Sequence, residues 1–191
     1  MRLRNYPQIV IGLLVLFCLA PGLRANGWAS GKEKEQVLYS FQGIPDGSIP
    51  VGGVVLDASG NLYGATTDGG SSSCGGIAQC GTVYQLQPPS QHGGGWTESI
   101  LYVFQGQANN DGETPAGGVI FGKTGELYGT TAYGGTGACP AGCGTVYELT
   151  PPTIPGGSWT ESVIYSFQEG NDGYVPMGNL IFDGAGNLYV V

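Results

Sequence analysis

Histidine occurs once in the 191 residues, as His92, and lysine and arginine together number six. One imidazole cannot share a zinc ion with a second, and neither an acid nor a serine around SQHGGGW is marked out as a partner for a Ser-His-Asp arrangement. His92 therefore reads as an exposed loop residue. Half of the basic residues, Arg2, Arg4 and Arg24, lie in the first 25 positions. The rest of the chain holds Lys32, Lys34 and Lys123 against fourteen acids, a formal charge of −11. Such a surface repels nucleic acid and anionic lipid. Helical periodicity of useful length is missing after the first 25 residues. The 37 glycines follow no G-X-Y period and apolar residues make up 41% of the chain, which excludes collagen and wholesale disorder.

The N-terminus has the pattern of an export signal. Arg2 and Arg4 form a positive start, and Ile9 to Ala20 is an apolar run shorter than the ~20 residues of a membrane span. Pro21 and Gly22 break it, and Ala25, with Leu23 two residues before, offers a cleavage point. An uncleaved N-terminal anchor is the alternative. A lipoprotein site is rejected because Phe17, not a small residue, precedes Cys18. Residues 1–25 are thus expected to be a signal peptide, and 26–36, with GKEKEQ, a short solvated lead-in.

What is present is repetition. WTESILYVF from Trp96 recurs 63 residues later as WTESVIYSF from Trp159, and a shorter copy, VLYSF, starts at Val37. Each copy continues through Asp-Gly (46–47, 111–112, 172–173) and a proline (50, 115, 176). Then come GGVVLDASGNLYGATT from Gly52, GGVIFGKTGELYGTT from Gly117 and GNLIFDGAGNLYVV from Gly178. The first two copies close with CGTVYQLQPP from Cys80 and CGTVYELTPP from Cys143. The expected domain covers 37–191, as repeats 37–95, 96–158 and a partial 159–191.

Four strands per repeat are legible. In the first, Trp159, Glu161, Val163, Tyr165 and Phe167 alternate onto one face, with Ile164 on the other. Gly60-Asn61, Gly125-Glu126 and Gly186-Asn187 mark tight turns between the second and third, and paired prolines (88–89, 151–152) stop the fourth. The fold class expected is all-β: tandem four-stranded repeats of about 63 residues, as blades of a β-propeller. A β-trefoil, an open solenoid and a single sandwich are the competing architectures. Because the third copy stops at NLYVV, the chain is expected to be part of a longer protein in which further repeats close the ring.

Acids, aromatics and cysteines carry whatever chemistry there is. Asp46, Asp111, Asp172, Glu98 and Glu161 could supply the paired carboxylates of a glycoside hydrolase. Each recurs once per repeat, however, which points to structure, and Asp before Gly is a turn signal. Asn109-Asn110-Asp111-Gly112 and Asn171-Asp172-Gly173 offer oxygen ligands for calcium without the full set of an EF-hand loop, so they too read as turns. Tyr63, Tyr84, Tyr102, Tyr128, Tyr147 and Tyr165 are expected in the core and between repeats. Trp96 and Trp159, beside glycine-rich loops, are candidate ligand contacts.

Once Cys18 leaves with the signal, four cysteines remain, and their C-x5-C and C-x3-C spacings differ from zinc knuckles. Local disulfides Cys74–Cys80 and Cys139–Cys143 are expected, since so few intervening residues can bring two Cα atoms within the ~4.4–6.8 Å required.

NLYGATT, ELYGTT, the Gly-Gly after them, CGTVYQL and LYSF resemble the GloVer tandem repeat of exported bacterial proteins, over roughly Val37 to Val191. The resemblance implies an extracellular, propeller-like repeat protein and carries over no catalytic residue. The reading is therefore an exported, non-enzymatic binding or structural module. It needs no cofactor or metal and does not bind nucleic acid; its ligand and partner are unknown, a carbohydrate or other cell-surface component being the candidate. The alternative is a carbohydrate-active hydrolase or lyase on the same scaffold.

Overall fold

The computed structural model describes residues 2–4, 35–70 and 80–190, and these form two units. In the first, Met1–Ser40, strand β1 (Arg2–Arg4) pairs antiparallel with β2 (Glu35–Val37). The lead-in read at 26–36 thus ends in a strand. The apolar run Ile9–Ala20 and Ala25 lie outside the described residues. No helix among the described residues is long and apolar enough to cross a membrane.

The second unit, Phe41–Val191, is built from antiparallel sheets. The first sheet runs in order β3 (Gly47–Leu56), β4 (Leu62–Gly69), β5 (Thr82–Gln87), β6 (Thr97–Val103). The second repeats it with β7 (Gly112–Pro115) and β8 (Ile120–Phe121) together in the place of β3, then β9 (Leu127–Gly134), β10 (Thr145–Thr150) and β11 (Thr160–Ser166). The third consists of β12 (Leu180–Phe182) and β13 (Leu188–Val190).

Sheets and sequence repeats are one strand out of phase. The WTES strand that opens each repeat is the outer strand of the sheet before it, because the Pro-Pro and Gly-rich connection folds it back onto the preceding GTVY strand as a hairpin. Of the first copy, 37–41, only Val37 lies in a strand, β2.

The simple alternation read for β11 also breaks. Val146 pairs with Tyr165 but Tyr147 with Val163, so one residue bulges out, and β6 shows the same shift opposite Val83 and Tyr84. A bulge moves every later side chain to the other face. Glu161 and Val163 therefore turn inward while Tyr165 is 46% exposed.

Local chemistry sets the ends of the strands. β5 and β10 stop before Pro88 and Pro151, whose missing N–H cannot extend a ladder. The turn between β3 and β4 is organised by Asp57, which accepts Ser59 N (2.8 Å), Asn61 N (2.9 Å), Asn61 Nδ2 (2.7 Å) and the Tyr63 hydroxyl (3.1 Å). Asp183 repeats this set with Ala185, Asn187 and Tyr189. In the second copy Gly122 replaces the aspartate and Glu126 replaces the asparagine; the carboxylate now reaches back to Thr124 N (3.0 Å) and its hydroxyl.

Consecutive sheets approach one another closely at glycines. A Cβ on Gly52 would lie 2.0 Å from Gly118 N, and one on Gly117 would lie 2.6 Å from Gly178 O. The core forms where consecutive sheets meet, from Tyr63, Val83, Phe104, Val119, Leu127, Tyr147 and Leu149.

Candidate functional site

The recurring acids and aromatics converge where one sheet hands the chain to the next. Phe104, just past β6, is fully buried with its ring 4.9 Å from that of Tyr147 in β10, edge to face. Phe41 and Tyr84 form the preceding pair, at 4.8 Å. Tyr63 packs on Phe121 and Tyr128 on Phe182, each at 5.1 Å. Such pairs add about 0.5–1.5 kcal/mol beyond the area they bury. Backbone contacts repeat as well: Thr114 N donates to Cys80 O (3.0 Å) and Val175 N to Cys143 O (2.9 Å). Pro115 and Pro176 press against Gly81 and Gly144, where an added Cβ would sit 2.4 and 2.5 Å from the proline ring.

The aspartate of each Asp-Gly holds the connecting loop. Asp111 is 5% exposed and accepts the Tyr102 hydroxyl (2.7 Å), Gln105 N (2.7 Å) and Gly112 N (2.5 Å). Burial pushes its carboxyl up, against the pull of these donors. Asp46 receives Gln42 N and Gly47 N, and Asp172 receives the Tyr165 hydroxyl and Gln168 N. With its oxygens engaged by donors, Asp111 is a turn residue rather than a calcium ligand. No cluster of acids, histidines and cysteines fit to hold a metal occurs among the described residues.

Glu98 and Glu161 face inward at the same junctions. Burial, then the neighbouring Asp46, pushes Glu98 up to about 7; burial, then Asp111, pushes Glu161 up to about 8. One oxygen of each is buried without a hydrogen-bond partner, as is the hydroxyl of fully buried Tyr147. Glu113, which the sequence did not single out, is also buried on β7 and its carboxyl is raised by burial.

These shifts fix a pH dependence. Folded Glu161 keeps a proton that the unfolded chain releases above about pH 4.5, so its stabilising contribution is complete below that value and is lost as pH rises through about 8. Because Glu161 is only half-buried, solvent screening reduces the effect to about 1–2 kcal/mol. Urea unfolding should show wild-type stability falling by that amount between pH 5 and pH 8, and Glu161→Gln should fall less. An equal fall in both proteins would contradict the assignment.

An open cleft of about 460 Å³ lies between two hairpin tips, lined by Phe121, Lys123, Glu126, Tyr128, Phe182 and Asp183 among others. A second, of about 360 Å³, follows the loop from Gln87 to Thr97. Neither contains Glu98, Asp111 or Glu161, and neither is lined by Trp96 or Trp159. Trp159 instead packs, partly buried, against the core cluster, and Trp96 is half-buried. His92 is exposed in its loop. Tyr63, Tyr84 and Tyr147 are buried and Tyr102 and Tyr128 half-buried, as expected of packing residues, but Tyr165 is 46% exposed.

Cys139 and Cys143 form a disulfide with their Cα atoms 5.2 Å apart. Cys80 is also disulfide-bonded; Cys74 lies outside the described residues.

No curated protein and no solved structure matches the chain. One family model does, that of the Gloeobacter/Verrucomicrobia repeat, over residues 27–191. The matched span contains every sheet of the second unit and each recurring junction residue, and the chain belongs to this repeat family.

Proposed function

We propose that the protein is an exported, non-enzymatic repeat module whose sheets are successive blades of a propeller-like array, acting outside the cytoplasm as a binding or structural element. One observation carries this reading. The residues best suited to chemistry, Asp46, Asp111, Glu98, Glu161 and the tyrosines, recur at equivalent places and are engaged in joining one sheet to the next. A catalytic site needs unlike roles at one place; a scaffold needs the same role at many. The close glycine approach between consecutive sheets favours sheets arranged about an axis. The partner put forward is a carbohydrate or other cell-surface component, with Trp96 and Trp159 as its contacts.

The second reading, a carbohydrate-active enzyme, draws on the cleft between hairpin tips. There three aromatic rings stand with Glu126, Asp183 and Lys123. Export and turnover are tested on one preparation. Protein recovered outside the cytoplasm should begin at or near Asn26 and leave a panel of polysaccharides uncleaved. Turnover would overturn the non-enzymatic part. Intact Met1 in a membrane fraction would replace cleavage by anchoring.

A further inference from the structure

Cys143 lies before the first ladder pair of β10, Thr145 with Thr131, so the loop rather than the sheet orients its carbonyl. That carbonyl accepts Val175 N (2.9 Å), on the backbone that leads into the third sheet. Val175 has φ +54°, a region that a β-branched residue rarely adopts, and Pro176 follows it. The first joint is built alike: Thr114, with φ +59° and Pro115 after it, donates to Cys80 O (3.0 Å). Such a backbone persists only where its surroundings hold it.

At the second joint the holding element is the loop closed by Cys139 and Cys143. Gly142 N donates to Cys139 O (2.9 Å), and Gly134 N, at the end of β9, to Ala141 O (2.7 Å). Gln107 Nε2, just past β6, donates to Gly137 O (3.3 Å) and Cys139 O (3.4 Å). Gly144 O accepts Phe167 N (3.0 Å), and a Cβ on Gly137 would lie 2.2 Å from Phe167 O and 2.7 Å from Cys143 Sγ. The bridge thus stands where the chain leaving the second sheet meets the chain entering the third. One of its sulfurs is within reach of solvent, since Cys139 is half-buried while Cys143 is buried. Cys139 N donates to Cys143 Sγ (3.2 Å), and Glu169 Oε2 lies 3.9 Å from Cys139 Sγ. The first contact favours a thiolate on Cys143 and the second disfavours one on Cys139, so Cys143 is the better leaving group.

We propose that the Cys139–Cys143 bridge is a redox-responsive lock on the joint between the second and third sheets, opened by thiol–disulfide exchange with an external dithiol. A thiolate of the dithiol attacks Cys139 Sγ. The S–S bond breaks, its electron pair goes to Cys143, and a mixed disulfide remains on Cys139. The dithiol's second thiolate then attacks its own sulfur in that mixed disulfide and releases Cys139. The bridge gains two electrons and two protons, and the dithiol leaves oxidised as a disulfide. With the loop untied, Cys143 O is no longer held against the strained Val175, and their hydrogen bond opens while β9 and β10 stay paired. The lock acts on the joint alone, whatever the protein binds.

Residue-resolved amide exchange by NMR tests this in the full chain, before and after dithiothreitol, and in Cys139→Ser/Cys143→Ser. Both treatments should speed exchange of Val175 N–H at least about tenfold while the amides of the β9–β10 ladder keep their protection. The double variant leaves the bridge at Cys80 intact, so Thr114 should exchange there as in wild type. Val175→Gly lets the backbone take its φ without strain, and dithiothreitol should then change exchange at position 175 by less than about threefold. Unchanged protection of Val175 under both treatments would overturn the lock. So would a full rise at position 175 in Val175→Gly, or protection lost at Thr114 and throughout the β9–β10 ladder in the double variant.

Discussion

Gly52→Ala is expected to destabilise the protein by about 3 kcal/mol or more, while Gly53→Ala, one residue on, changes stability little. Gly52 has φ +62°, a conformation that strains a residue with a Cβ. Its Cβ would also lie 2.0 Å from Gly118 N, 2.6 Å from Gly118 Cα and 2.8 Å from Gly117 C. All three are backbone atoms of the segment that links β7 to β8 in the next sheet. They cannot swing aside as a side chain would, so relief requires the two sheets to separate. A Cβ on Gly53 meets nothing within 4 Å. Equilibrium urea unfolding measures both variants, and a Gly52→Ala protein within about 1 kcal/mol of wild type would show that consecutive sheets do not need this approach.

Much of this architecture was legible because its determinants are local. The repeat, the four strands, the Asp-Gly turns and the Pro-Pro stops each depend on residues a few positions apart. The Cys139–Cys143 bridge belongs with them, closing over three residues. The features hidden from the sequence depend on neighbours in space. The phase of the sheets was concealed because WTES pairs backward with GTVY, a choice made by the hairpin rather than by either strand. The bulges opposite Val83–Tyr84 and Val146–Tyr147 break the plain period of two, so that Glu161 and Tyr165 do not share a face. Asp57 was not singled out in the sequence, where Gly60-Asn61 marked the turn, yet it gathers four hydrogen bonds. A clue was present in the second copy, where the acid moves from position 122 to 126 and the turn survives. The glycines at 64 and 129 recur with the Tyr of the next strand, but only the pairing register reveals that one makes room for the other.

The same contrast between local pattern and spatial setting gives the second large effect. Asp111→Ala is expected to cost about 3 kcal/mol, because it removes the acceptor for the Tyr102 hydroxyl, Gln105 N and Gly112 N at a site only 5% exposed. Water cannot easily replace the carboxylate there, and the loss would loosen the loop that brings Phe104 onto Tyr147. Asp172 occupies the same sequence position and holds the equivalent bonds to Tyr165 and Gln168. It is half-buried rather than buried and its partner Tyr165 is 46% exposed, so Asp172→Ala should cost less than about 1 kcal/mol. The central claim is that the recurring acids are structural hubs whose worth depends on the sheet packed over them. Urea unfolding of Asp111→Ala and Asp172→Ala, side by side with wild type, tests it most directly. The account predicts a loss of about 3 kcal/mol for the first and under about 1 kcal/mol for the second; equal losses, or an Asp111→Ala protein as stable as wild type, would contradict it.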